Sequence, residues 1–336
     1  MALAELLRRK DVIETGVGGI SNRFKIGRRR DVLFFEEILA NYIKECENAG
    51  HKKDMREIAK EWAFVYTKNF LPDFMKSVPK IALLNTVLKK SWIYFGLLDD
   101  FKAAGSDERI SFLTYSEAMT RLIGGNEFCK GLWEGVLCAL YKRRVDLLQS
   151  SQTQHVSEYS FSIKKEPFDI ASKDKRIYQE LNATPKGDGD LKKYIKQRML
   201  VLKGNRLTYR GKSVVIGENT LFHIFGEKGT LIDRVAEISR LCFKDIVEKD
   251  SKGEKRMLML KNLMHVFGWG RINAVYQKGH VAIEIRNPPY GIQKGEDNWD
   301  FLSQMLLGYI SLFGKGFRIS GLKKFRGGIR IDYSIK

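Results

Sequence analysis

Two stretches of this chain can be laid over one another, and that duplication limits the fold more than any other feature of the sequence. Phe95-Gly96 and Phe267-Gly268 each close a helix-like apolar run, Ile81 to Tyr94 and Met257 to Val266. A short alternating stretch follows each pair. Next comes an amphipathic helix with a central glycine, Gly135 in one copy and Gly308 in the other, at nearly the same distance from the Phe-Gly pair. Within that helix Phe128 aligns with Phe301, Leu132 with Met305 and Leu140 with Phe313. Order, element type and spacing agree, so the chain reads as a degenerate tandem duplication. Its 336 residues suit two modules.

The second copy has the cleaner pattern. Leu231, Ile232, Val235, Ile238, Leu241, Cys242 and Ile246 recur with the helical period, and Lys255 to Phe267 continues as another helix up to Gly268-Trp-Gly270. The period then falls to two. Val281, Ile283 and Ile285 alternate with Ala282, Glu284 and Arg286, and Lys278-Gly279 marks a hairpin turn from Ile272 to Tyr276. Trp299 to Phe313 restores a helix, and a final hairpin runs from Phe317 to Ser320 and from Gly328 to Ile335. The first copy follows more loosely, with strands around Ile110, Phe112 and Thr114 and around Tyr159, Phe161 and Ile163, and with the helix Asn126 to Tyr141 between them. Helix, helix, hairpin, helix, hairpin predicts an α+β fold: two tandem modules, each an antiparallel sheet built of hairpins and covered on one face by helices. The boundaries are residues 1–166 for the first module with an N-terminal extension, 167–215 for a basic connector holding one or two short helices, and 216–336 for the second module.

Composition narrows the function classes. The 43% hydrophobic content supports a conventional core, and the formal charge of +19 excludes an acidic disordered chain. Cys46, Cys129, Cys138 and Cys242 form no C-x-x-C pair and read as buried free thiols, with no metal site among them. The N-terminus places Glu5 in its apolar stretch and the basic residues after it, the reverse of a secretory signal, and no apolar run reaches membrane-spanning length, which points to a cytoplasmic protein. Gly16-Val-Gly-Gly19 lacks the third glycine of a dinucleotide loop, and Gly211-Lys-Ser213 lacks the earlier glycine and the helix of a P-loop. The five histidines offer no local nucleophile and base arrangement. Asp99-Asp100 and Glu296 to Asp300 are acidic pairs, the second placed to cap a helix. No catalytic residue and no cofactor can be named, and the chain reads as non-enzymatic.

The run Asn287-Pro-Pro-Tyr-Gly291, the helix core Leu306-Leu-Gly-Tyr-Ile310, Gly314-Lys-Gly and the double glycine Gly327-Gly328 resemble the C-terminal half of the 4-vinyl reductase domain. That small α+β module occurs in archaeal hydrocarbon-binding proteins and bacteriochlorophyll-pathway proteins, and is related in fold to haem nitric-oxide-binding domains and vesicle-tethering subunits. The resemblance covers about residues 230 to 336, and 55 to 165 more faintly. It implies a pocket between helices and sheet for a small apolar ligand, in a sensor or carrier, and dimerisation through the helices. Ile329 and Arg330 stand where family members often carry a cysteine, so no thiol or metal role carries over.

On such a fold some residues of the apolar stripes would line the pocket, and Trp269, Phe301, Met305 and Tyr309 are the candidates. His265, among Leu263, Met264, Val266 and Phe267, reads as a partly buried histidine, and as the residue to test if a haem were bound. A different class of function rests on charge. Lys323, Lys324, Arg326 and Arg330 in the closing hairpin, with Lys192, Lys193, Lys196 and Arg198 in the connector, point to a nucleic-acid-binding or scaffolding protein that uses its modules as dimerisation units. No helix-turn-helix, zinc-finger or RNA-recognition signature accompanies them.

Overall fold

A computed structural model of the chain describes residues 13–16, 19–25, 27–71, 78–170, 195, 197–203, 206–218, 220–247, 253–277, 279–289 and 298–335. The strands and helices fall in the same order twice. The first round comprises β1 (Ile13–Gly16), β2 (Gly19–Lys25), β3 (Gly27–Phe35), α1 (Glu36–Asn48), α2 (Lys52–Phe70), α3 (Lys80–Leu83), a π-helical turn (Leu84–Leu88) and α4 (Lys89–Tyr94). It continues with β4 (Asp100–Gly105), β5 (Arg109–Tyr115), α5 (Thr120–Ile123), α6 (Glu127–Tyr141), β6 (Arg143–Gln152) and β7 (Val156–Pro167). The second round comprises β8 (Leu200–Lys203), β9 (Arg206–Tyr209), β10 (Lys212–Glu218), α7 (Thr220–Lys228), α8 (Arg234–Ile246) and α9 (Gly253–Val266). It ends with β11 (Arg271–Gln277), β12 (His280–Arg286), α10 (Asp300–Ile310), β13 (Phe317–Phe325) and β14 (Gly328–Ile335).

The fold is α+β, with three antiparallel sheets packed by helices. Two of them are four-stranded and share one topology, β4-β5-β7-β6 and β11-β12-β14-β13. Alternation sets their two faces. Ile110, Phe112, Tyr159 and Phe161 turn inward in the first, and Val281, Ile283, Ile285, Ile329, Ile331 and Tyr333 in the second. The long helix of each module covers the inner face. In α6 the indole of Trp133 meets Phe112 at 5.4 Å and Trp92 at 4.8 Å, and Asn126 caps the first turn by accepting from the Cys129 amide. In the second module the Tyr333 hydroxyl donates to the Ser303 carbonyl of α10.

The central glycines of the repeat exist for helix packing. A Cβ on Gly135 would lie 2.2 Å from the Lys60 carbonyl oxygen of α2, and one on Gly308 would lie 2.4 Å from the Ala236 carbonyl oxygen of α8. Each module therefore crosses its second and its long helix at backbone contact, which only glycine permits.

The third sheet joins the modules. Its order is β1-β2-β3-β10-β9-β8, with β3 and β10 paired antiparallel about the match of Leu33 with Ile216. Residues 200–203, 206–209 and 212–215 are thus strands of this shared sheet and not the end of a connector. Their lysines and arginines suggested a solvated linker, but Leu200, Leu207, Tyr209 and Val214 are buried core residues. Lys192, Lys193 and Lys196 of the expected connector lie outside the described residues. Gly16 and Gly19 pair across the β1-β2 turn, and Gly211 turns β9 into β10. Among the described residues, no helix is long and apolar enough to cross a membrane.

Candidate functional site

The seam between modules has an approximate twofold relation and takes in two of the residues chosen from the sequence, Trp269 and Phe301. At its centre the amide of Leu33 donates to the Phe267 carbonyl at 2.8 Å, and the amide of its partner Ile216 donates to the Phe95 carbonyl at 2.9 Å. The two Phe-Gly pairs that reveal the duplication are therefore where each module receives the central strand of the other. Phe301 packs on Tyr42 of the first module at 5.5 Å, and its counterpart Phe128 packs on Phe225 of the second at 5.9 Å. Polar contacts cross as well. Tyr42 donates its hydroxyl to the Thr230 carbonyl, Arg206 pairs with Asp99 at 2.8 Å, and Lys212 bridges Glu37 and Asp245 at 2.7 Å each. Glu36, wholly buried, accepts from Arg121 and from Ser213 of the other module.

The four apolar candidates sit as follows. Trp269 is buried and donates Nε1 to the Leu33 carbonyl at 2.8 Å, so its polar atom belongs to the seam. Phe301 is the seam aromatic just described. Tyr309 donates its hydroxyl to the Arg256 carbonyl at 2.6 Å and packs edge-on against Phe243. Met305 is buried with them in the same hydrophobic cluster. The fold brings these four into one core with Phe222 and Phe225. Burial holds the Tyr309 phenol well above the usual range. His265 accepts the Ile272 amide on Nε2 at 3.0 Å, so that ring nitrogen is occupied within the fold. All four cysteines are buried free thiols.

Room for a ligand lies in the first module. A cleft of about 800 Å3 opens between the C-terminal ends of α2 and α6, the start of α3 and the exit of β7. Its walls are apolar: Phe64, Leu71, Leu83, Leu140, Tyr141 and Phe168. Lys68, Lys80 and Lys142 stand at the lining, and among the described lining residues the carboxylate is Asp169, which pairs with Lys68 at 2.7 Å. The buried Tyr141 hydroxyl has no hydrogen-bond partner among the described residues, and burial pushes its pKa up to about 12. Beside the cleft, the helix over residues 80–94 is broken by its π-helical turn, whereas α9, its counterpart, runs unbroken. Such turns mark places where helix regularity gives way to another requirement. Asn85, in that turn, holds both backbone groups of Ala103 on the edge strand β4 at 2.8 Å.

Two cavities of about 20 Å3 each share Trp92, Leu97 and Leu132 as lining, and one of them reaches the seam at Ile216 and Gly217. Each is about large enough for one water. The carboxylate of Glu117 borders one of them. It accepts from Trp133 Nε1 at 2.5 Å, Tyr159 Oη at 2.7 Å and Thr120 Oγ1 at 2.7 Å. Burial drives its pKa up, and the three donors oppose that rise.

The basic candidates occupy the closing hairpin of the second module. Lys323, Lys324 and Arg326 are exposed on β13, an edge strand, and its turn. Arg330 sits opposite Lys323 and is tied to Asp332 at 3.0 Å. The residues that form the cleft were not legible in the sequence. They come from four separate segments, and no motif links Phe64 with Tyr141 or Phe168.

Among known proteins, no family model matches the chain and no curated protein matches it. A solved structure described as "Probing the function of heme distortion in the H-NOX family" is 14% identical over 40% of this chain and 73% of that chain, with a TM-score of 0.26. A likeness at that score assigns neither fold nor ligand.

Proposed function

We propose that the chain is a non-enzymatic binding protein made of two 4-vinyl reductase-like modules, and that its first module takes an apolar molecule bearing an anionic group. The carrying observation is the cleft of about 800 Å3 with aromatic and aliphatic walls and, among its described lining residues, the exposed Lys142 beside the Lys68–Asp169 pair. Its size lies in the range of small-molecule sites, and an apolar wall with a few polar groups is their usual composition. The second module supports the arrangement as a packed partner. The ligand reading therefore belongs to the first module, although the sequence placed its candidate residues in the second.

Calorimetric titration with decanoate and decanol tests the reading. Decanoate is expected to bind more tightly than decanol. Replacing Lys142 by alanine is expected to weaken decanoate about threefold while leaving decanol unchanged, since one exposed charge contact contributes on the order of 0.7 kcal/mol. Ala139→Trp, which fills the cleft, should abolish both. Binding that survives Ala139→Trp would place the ligand elsewhere, and no binding of either compound would remove the proposal.

A further inference from the structure

The outer face of the β11-β12-β14-β13 sheet gathers cations that are scattered in sequence. Strand register sets Arg271, Arg286, Gly328 and Phe325 in one row across the sheet. Two residues along, on the same face, stand Asn273, Glu284, Arg330 and Lys323. Arg271, Arg286 and Lys323 are exposed, and Arg326 is exposed in the adjoining turn. Phe325 is half-buried, and its ring lies across Gly328, where a Cβ would fall 2.5 Å from ring Cζ. The glycine thus leaves room for the aromatic ring over it, on the face that carries the arginines.

The first module provides an internal comparison, because its sheet has the same topology. There the outer rows read Lys102, Leu113, Glu158, Ser151 and Ala104, Ser111, Ser160, Gln149, with Arg109, Ser162 and Asp146 beyond. Two cations face two carboxylates there, and the remainder is mainly serine, whereas over three rows the second face, which continues into Val275, Ala282, Asp332 and Gly321, sets Arg271, Arg286, Arg330 and Lys323 against Glu284 and Asp332. The cationic face is therefore a property of the second module and not of the general surface. Guarding an edge against aggregation accounts for lysine on β13, but Arg286 lies on β12, an interior strand.

We infer that this face binds single-stranded nucleic acid, with phosphates along Arg271, Arg286, Lys323 and Arg326 and a base stacked on Phe325. Cations that track a backbone beside an aromatic ring are the recurring elements of sequence-tolerant single-strand binding. Fluorescence anisotropy of the full chain with a labelled oligouridine of about 16 nucleotides, titrated across sodium chloride concentrations, is the test. Arg286→Ala, Lys323→Ala and Arg326→Ala combined are expected to weaken binding at least tenfold and to reduce the salt slope by about 2, from roughly 0.7 per lost phosphate contact on a single strand. Phe325→Leu keeps the cover over Gly328 and is expected to lose about tenfold through stacking alone. Lys102→Ala with Arg109→Ala, on the matching face, should change nothing. No binding by the full chain at about 50 mM salt, an unaffected triple variant, or an equal loss in the matching-face variant would each overturn the inference.

Discussion

A single carboxylate shows how much one buried residue sets in this fold. Glu117 is enclosed with only donors around it, Trp133, Tyr159 and Thr120, and burial raises its pKa above the value it has in the unfolded chain. The folded state then holds a proton over a window where the unfolded chain has released it. Stability linked to Glu117 is full below the unfolded pKa of about 4.3 and is lost as pH rises through the folded value. Urea midpoints measured from acid to neutral pH are expected to fall with rising pH by a component that Glu117→Gln removes. An unchanged pH slope in that variant would show that Glu117 ionises as freely folded as unfolded. Nothing in the sequence around Glu117 announced this cluster, because Tyr159 reaches it from a distant strand and Trp133 from another helix.

Among the elements, the two helix crossings are the sharpest constraint. Gly135 meets α2 and Gly308 meets α8 with no room for a methyl group. Gly135→Ala and Gly308→Ala are each expected to destabilise by about 3 kcal/mol, the upper range of overpacking, read as a shift in urea midpoint. A loss under about 0.5 kcal/mol would mean that the helices separate without cost. The glycines were visible in the sequence as matched positions, and their alignment was enough to find the repeat. Why glycine is needed was not visible, since the opposing Lys60 and Ala236 carbonyls belong to other helices. The same division holds for the strands. Alternation in Val281, Ile283 and Ile285 gives a strand and its buried face directly, whereas the register that lines up Arg271 with Arg286 exists only after pairing.

For the whole molecule, duplication has become an internal pseudo-dimer. β3 and β10 complete one sheet, and the amides of Leu33 and Ile216 each find a carbonyl in the opposite module. Separating the halves would expose a sheet edge, two orphaned amides and the aromatic seam of Tyr42, Phe128, Phe225 and Phe301. Residues 1–195 and 196–336 expressed singly are therefore expected to aggregate or self-associate, and expressed together to co-purify as one species by size-exclusion chromatography. Two halves that each remain monomeric and folded would show that the seam is dispensable. Phe301→Ala in the intact chain should cost about 3 to 5 kcal/mol, as a core aromatic does.

The sequence by itself determined the repeat, the α+β class and the helices and hairpins of each module, because periodicity and glycine positions are local and survive as spacing. It also showed the cations of the closing hairpin, Lys323, Lys324, Arg326 and Arg330. Only the tertiary structure decided that β8, β9 and β10 are part of the shared sheet and that Trp269 and Phe301 serve the seam. The same holds for the open cleft of the first module and the single face that carries the arginines. Each of these depends on which distant surfaces meet, and the pairing of β3 with β10 fixes that at a distance no local pattern records.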